Sequence, residues 1–141
     1  PQRADLESHA RSLGVDAAFT GAVAPEDVPA VLQRLDIGVA PYRAADDYFS
    51  PLKVSEYLAA GLPVVGSRVG QVPSLVRHGR SGLLTTPGDA RALADALQTL
   101  VDDPALCRRM ADRARRQAVA EHGWGGVLAQ ILDAMPAAVA S

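Results

Sequence analysis

Three observations predict an α/β fold with a mostly parallel sheet. The runs DIGVAPY (36–42), LPVVG (62–66) and GLLTT (82–86) are short and apolar, as strands buried on both faces are. Helical stretches alternate with them, the order that carries the chain back to the same sheet after each strand. Alanine is abundant and aromatics make up only 4% of the chain, which suits helices packed closely on a sheet.

The elements follow in order. Residues 2–13 are helix formers with Leu6, Ala10 and Leu13 on one face, and Gly14 closes the turn. DAAFTG (16–21) reads as a short strand. APEDVPAVLQRL (24–35) reads as a helix with Pro25 at its start and Glu26 and Asp27 in the first turn, where the dipole favours acids. Pro29 fits only if it too lies in that first turn. After the strand at 36–42 comes a polar loop, 43–49, and then a helix for which Ser50 is the N-cap and Pro51 the first residue. Gly61 suits the left-handed position that ends it. The stretch 67–82 is loop with one helical turn at Pro73–Val76. Two long helices follow. Leu93, Leu97, Leu100 and Val101 mark the inner face of the first. Leu106, Met110, Ala114, Gln117 and Ala118 mark that of the second, which Asp103 caps ahead of Pro104. A last helical segment is expected at 124–135.

Bulk properties narrow the function classes. The 141 residues make one domain, and 48% hydrophobic with 21% charged residues is the balance of a globular protein. A formal charge of −2 gives no electrostatic case for nucleic acid or acidic lipid. The single Cys107 forms no internal disulfide and fits a reducing compartment. No apolar stretch approaches the roughly 20 residues of a membrane span, and no leader stands at the start. A cytoplasmic location is the expectation.

In a parallel sheet ligands sit beyond the carboxyl ends of the strands, here 41–50, 67–73 and 86–88. The helix after Pro51 offers free backbone N–H groups and a partial positive charge at that edge, a natural seat for phosphate or diphosphate. Lys53 adds a full charge in the first turn. Glu56, one turn on, can accept two hydroxyl hydrogen bonds from a ribose. The same residues also fit a plain surface helix start in which Lys53 and Glu56 pair with each other.

The stretch FSPLKVSEYLAAGLPVVGSRVGQVPSLVRHGRSGLL resembles the C-terminal, donor-binding domain of GT-B retaining glycosyltransferases of the family 4, group 1 type. FTGAVAPEDVPAVLQRLDIGVAPY before it and the long helices after it extend the likeness over nearly the whole chain. The resemblance implies a Rossmann-like sheet and a nucleotide-diphosphate-sugar donor. It further implies a diphosphate held by backbone amides at a helix N-terminus, at Ser50, Pro51 and Leu52. Its motif of Glu, seven residues, Glu places the second Glu on Glu56, whose implied role is to grip the donor ribose. The first falls on Tyr48, a departure, with Asp47 one residue away. Further departures are Gln71, where a glycine is usual, and Ser74, where a glutamate is. Asp47, Tyr48, Ser50, Pro51, Leu52, Lys53 and Glu56 are thus the expected donor-binding residues, with Lys53 and Glu56 the catalytic ones. The family suggests a diphosphate site without a metal, and no cofactor beyond the donor substrate.

The resemblance also implies strands ahead of residue 1, lying in the sheet between 16–20 and 36–40. The chain is therefore read as a partial C-terminal domain, with an α/β core at 1–87 and helices at 88–135. The acceptor domain would be a further part of the parent, and through it the parent could sit peripherally on a membrane. Other motifs fall short. Arg108, Arg109, Arg113, Arg115 and Arg116 are interleaved with Asp112 and Glu121 and read as a solvated helix face, not a nucleic-acid site. His9, His78 and His122 lack metal-ligand spacing, and His78 reads as a turn residue. Ser67 has no Gly-x-Ser-x-Gly context. Trp124 is expected to pin the last helix. Two function classes remain: the donor half of a glycosyltransferase, or a non-transferring relative such as a sugar-nucleotide epimerase or binding module.

Overall fold

Three parallel strands form the sheet of the computed structural model, in the order β1-β2-β3. They are β1 (Gly38–Ala40), β2 (Val64–Ser67) and β3 (Gly82–Thr85). The structure describes residues 2–43, 50–121, 123 and 125. Apart from Gly125, the expected helix at 124–135, with Trp124, lies outside the described residues, as do Asp47, Tyr48 and His122. The chain divides into two compact units, 1–31 and 32–141.

In the first unit, α1 (Gln2–Ser12) confirms the predicted helix, and Gly14 ends it at φ +66°. Its predicted apolar face is not covered: Leu6 and Leu13 are exposed and the helix buries no residue. The strand expected at 16–21 does not form. A run of apolar residues makes a strand only where a neighbour completes its hydrogen bonds, and no ladder partner stands beside it among the described residues. The helix expected over 24–35 shrinks to α2 (Val28–Leu32), which ends where the units divide. Turns occupy the residues before it, Asp27 N donating to Ala24 O at 2.9 Å, so Pro29 stands in the first turn, the place where its missing N–H costs nothing.

The second unit holds the sheet. Gly38, Val39 and Ala40 pair with Val64, Val65 and Gly66, and Val64 to Ser67 pair with Gly82 to Thr85. All of β2 is buried, as its unbroken apolar run predicts for a central parallel strand. One face packs Ala40, Val64 and Leu84 against Val54 and Leu58 of α3 (Leu52–Ala59), Val72 of α4 (Val72–Leu75), and Ala114 and Ala118 of α6 (Pro104–Glu121). The other packs Val65 and Leu83 against Leu93, Leu97 and Leu100 of α5 (Ala90–Asp102) and Met110 of α6. Side chains of opposite parity along β2 thus feed opposite layers, the period of two that a pleated strand imposes.

The cap expected for the second long helix forms, and the first long helix has one of the same kind. Asp89 Oδ1 accepts from Ala92 N at 2.9 Å, and Asp103 Oδ1 accepts from Leu106 N at 2.8 Å, each capping its helix. Val101 is the exception on the expected inner face of α5: it is 62% exposed while Leu100 beside it is buried. The helical wheel places Val101 about 100° round from Leu100, past the rim of the stripe that meets the sheet. α4 confirms the single turn expected near Pro73–Val76. His78 does more than fill its turn, because its Nδ1 accepts from Leu84 N at 2.9 Å and so ties the loop before β3 to the strand.

Cys107 lies half-buried near Asp36, and burial first, with the Asp36 carboxylate adding to it, pushes its thiol pKa up. A raised pKa leaves less thiolate at a given pH, and the thiolate is the nucleophile. Cys107 is therefore expected to react with iodoacetamide near pH 8 more slowly than a cysteine in a denatured control. Equal rates in the two states would show that the thiol is not desolvated as described.

Candidate ligand site at the carboxyl edge of the sheet

The site is built on the amino end of α3, and the helix is fixed at both ends. The carboxyl end closes as the sequence predicts: Gly61 adopts φ +77°, its N–H meets Leu58 O at 3.0 Å, and Leu62 N meets Tyr57 O at 2.9 Å. This double bond pattern ends the helix sharply and launches β2. The amino end is corrected by one residue. Pro51, at φ −82° and ψ 47°, occupies the cap position, and no side chain among the described residues caps the helix, so Ser50 is not the N-cap. With ψ outside the helical range, Pro51 only begins the ladder: its carbonyl accepts from Val54 N at 2.9 Å and from Ser55 N at 3.4 Å. The amides of Leu52 and Lys53 come before the first residue that can reach a carbonyl within the helix. They are the backbone donors that this end presents.

Of the predicted site residues, Pro51 is buried, while Ser50, Leu52, Lys53 and Glu56 are exposed. Lys53 and Glu56 do not pair with each other in the structure, which removes the reading of a self-paired surface turn. Instead the Lys53 ammonium stands 4.5 Å from the centre of the Tyr42 ring. That contact ties the first turn of α3 to the residues just past β1, since a cation is attracted to the face of an aromatic ring. Burial raises the Tyr42 pKa, and Tyr57 adds to the effect. Tyr57 is raised likewise, by burial first and then by the Glu56 carboxylate. Both phenols therefore stay neutral through the physiological range, and neither competes with a ligand for the charge of Lys53. The Glu56 side chain opens on a groove shared with Ser55 and Ala59 of α3 and Arg115 of α6.

A second feature of this edge lies beyond the three strand ends. Tyr42 and Arg43 after β1, Ser67 of β2, and Thr85 and Thr86 at the end of β3 line a cleft of about 150 Å³. Asp89, the α5 cap, closes its far side. Sequence reasoning placed the edge correctly but did not single out Tyr42, Thr85 or Thr86, and weighed Ser67 only as a nucleophile. Tyr42 carries the one available signal, as the last residue of an apolar run that meets a polar loop. Among the described residues no group of acids, histidines and cysteines could hold a metal ion.

A three-layered α/β domain, with an open helix end and a cation at the carboxyl edge of its parallel sheet, is the class defined by this geometry. The chain belongs to the group 1 glycosyltransferases: the family model for glycosyl transferases group 1 matches residues 1–103. It is 34% identical over 130 residues to the D-inositol 3-phosphate glycosyltransferase of Corynebacterium urealyticum, covering 91% of this chain and 30% of that protein. It is 48% identical over 75 residues to the trehalose phosphorylase of Pleurotus pulmonarius, covering 53% of this chain and 10% of that protein. Among solved structures, Anabaena Alr3699/HepE in complex with UDP-glucose superposes with a TM-score of 0.74 at 26% identity, covering 94% of this chain and 36% of that one. The chain thus spans about a third or less of these relatives. The fold is that of the GT-B glycosyltransferases, of which the chain covers a part, as the sequence resemblance implies. No helix among the described residues is long and apolar enough to cross a membrane.

Proposed function

We propose that this chain is the donor-binding part of a retaining glycosyltransferase, within the C-terminal domain of its parent, and that it holds a nucleotide-diphosphate sugar. The observation that carries the reading is the start of α3, which no side chain among the described residues caps, with the Lys53 ammonium of its first turn over the Tyr42 ring. Family membership and the likeness to a protein solved with UDP-glucose support a nucleoside-diphosphate donor. In this reading the diphosphate lies at Ser50, Pro51, Leu52 and Lys53, the sugar lies toward Asp47 and Tyr48, and Glu56 grips the ribose.

The chemistry assigned to these residues is leaving-group stabilisation. As the glycosidic bond to the donor phosphate breaks, negative charge grows on the departing diphosphate. The amides of Leu52 and Lys53, the α3 dipole and the Lys53 ammonium are fixed before the reaction, so they stabilise that charge without reorganising. The acceptor and the groups that orient it come from the remainder of the parent. The relatives described above are named as transferase and phosphorylase, so the epimerase or non-catalytic alternative is not favoured.

Glu56→Gln tests the ribose contact. A charge-assisted hydrogen bond is worth about 1.5–3 kcal/mol, so the donor KM of the parent enzyme is expected to rise about tenfold or more. The turnover number should change little, because the ribose is remote from the breaking bond. An unchanged donor KM in a folded variant would remove Glu56 from the site.

A further inference from the structure

The opposite edge of the sheet carries a groove that the donor reading leaves unused. In a parallel sheet the loops before the strands lie at the amino edge, away from the carboxyl ends. Residues 76–81, which precede β3, are such a loop. Arg77 and Arg80 from this loop meet Arg113 and Arg116 of α6 around a groove of about 300 Å³. All four arginines are exposed. The acid in the groove wall is Glu121, already held by Arg77. Three guanidinium groups, those of Arg80, Arg113 and Arg116, have no carboxylate partner within ion-pair distance among the described residues. The chain as a whole is slightly negative, so this is a local concentration of charge and not a general one.

The groove is fixed in shape from beneath. Gln117 of α6 is 7% exposed and its Nε2 donates to Leu75 O at 2.9 Å, tying α6 to the end of α4. Ser81 is buried, and its Oγ accepts from Arg77 N at 3.0 Å, holding the loop closed on itself. Two separate segments are thereby locked side by side, each supplying a pair of arginines. Gln117 Oε1 is buried without a hydrogen-bond partner among the described residues. It lies below the arginines, so the affinity is assigned to the guanidinium groups alone.

We propose that this groove binds a phosphate ester at a site separate from the donor site. Guanidinium is the side chain best matched to phosphate, because its planar fork donates paired hydrogen bonds to two oxygens. Convergence from two segments allows more than one arginine to reach the same phosphate. The phosphate can belong to a free polyol phosphate or to the headgroup of an anionic lipid, and the chemistry of the contact is shared.

Binding of glycerol 3-phosphate by calorimetry, and co-sedimentation with phosphatidylcholine vesicles with or without phosphatidylglycerol, tests the proposal on the full parent protein. The wild type is expected to bind at least one of these probes. Arg113→Gln with Arg116→Gln should weaken that binding at least about tenfold, and so should Arg80→Gln from the other segment. Saturation by glycerol 3-phosphate assigns the groove to a soluble phosphate ester. Selective sedimentation with phosphatidylglycerol assigns it to a lipid headgroup. Absence of binding to both probes, or equal binding by wild type and both variants, overturns the proposal. Because these residues are exposed, circular dichroism should show the variants folded. Their donor KM should equal that of the wild type, which separates failure here from failure of the donor site.

Discussion

Gly82→Ala is expected to lower the melting temperature of the chain by about 10 °C, the result of losing about 3 kcal/mol. A Cβ added at Gly82 would stand 2.1 Å from Val64 O and 2.8 Å from Val76 Cγ1. The first of these is a backbone atom of the central strand, paired with Gly82 in the β2–β3 register. It cannot yield by a side-chain rotation. The strands must separate locally, and the bond from Val64 N to Ser81 O, 3.2 Å long, lies beside the point of strain. The loss is large against a typical domain stability of about 5–15 kcal/mol. Gly125→Ala supplies the control, since an added Cβ there meets nothing within 4 Å among the described residues. A Gly82→Ala variant that melts with the wild type would show that β2 and β3 do not approach as closely as described.

Gly82 also shows where sequence reading reaches its limit. The apolar runs and helix caps are local signals, and β1 to β3, Asp103 and Gly61 were all legible from them. The need for glycine at 82 is not local, because it arises from an oxygen eighteen positions earlier in the chain. The 16–21 segment fails for the same reason in reverse, since its composition suits a strand but hydrogen-bonding partners are set by the rest of the fold. At the candidate site, the helix and its charged first turn could be read from Ser50 to Glu56. The one-residue shift of the cap could not, because it depends on the ψ angle of Pro51. Tyr42 was legible as the end of a strand but not as the partner of Lys53, eleven residues on. The arginine groove was half visible as a basic run on α6. Its other half sat in a turn, and only the packing of Gln117 on Leu75 brings the two together.

Lys53→Ala is expected to reduce the turnover number of the parent enzyme by about a hundredfold, with a smaller rise in donor KM. The argument is about when the charge is needed. Donor diphosphate is already anionic in the ground state, so in the proposed reading Lys53 is expected to contribute to binding as well. As the sugar leaves, a further negative charge concentrates on the departing oxygen, and a fixed cation gains most at that moment. Losing one preorganised electrostatic contact of this kind costs about 10²–10³ in rate. The Tyr42 ring, 4.5 Å from the ammonium, keeps the cation in place before the donor arrives. Tyr42→Phe preserves the aromatic face and should retain most of the turnover, whereas Tyr42→Leu should lose part of what Lys53→Ala loses. Combining Tyr42→Leu with Lys53→Ala should then add little to the lysine variant, because the ring acts through the cation it positions. Single-turnover measurements with saturating donor separate the chemical step from binding. If Lys53→Ala changes only the donor KM, the ammonium serves as a ground-state clamp and the leaving-group role falls to the α3 amides alone.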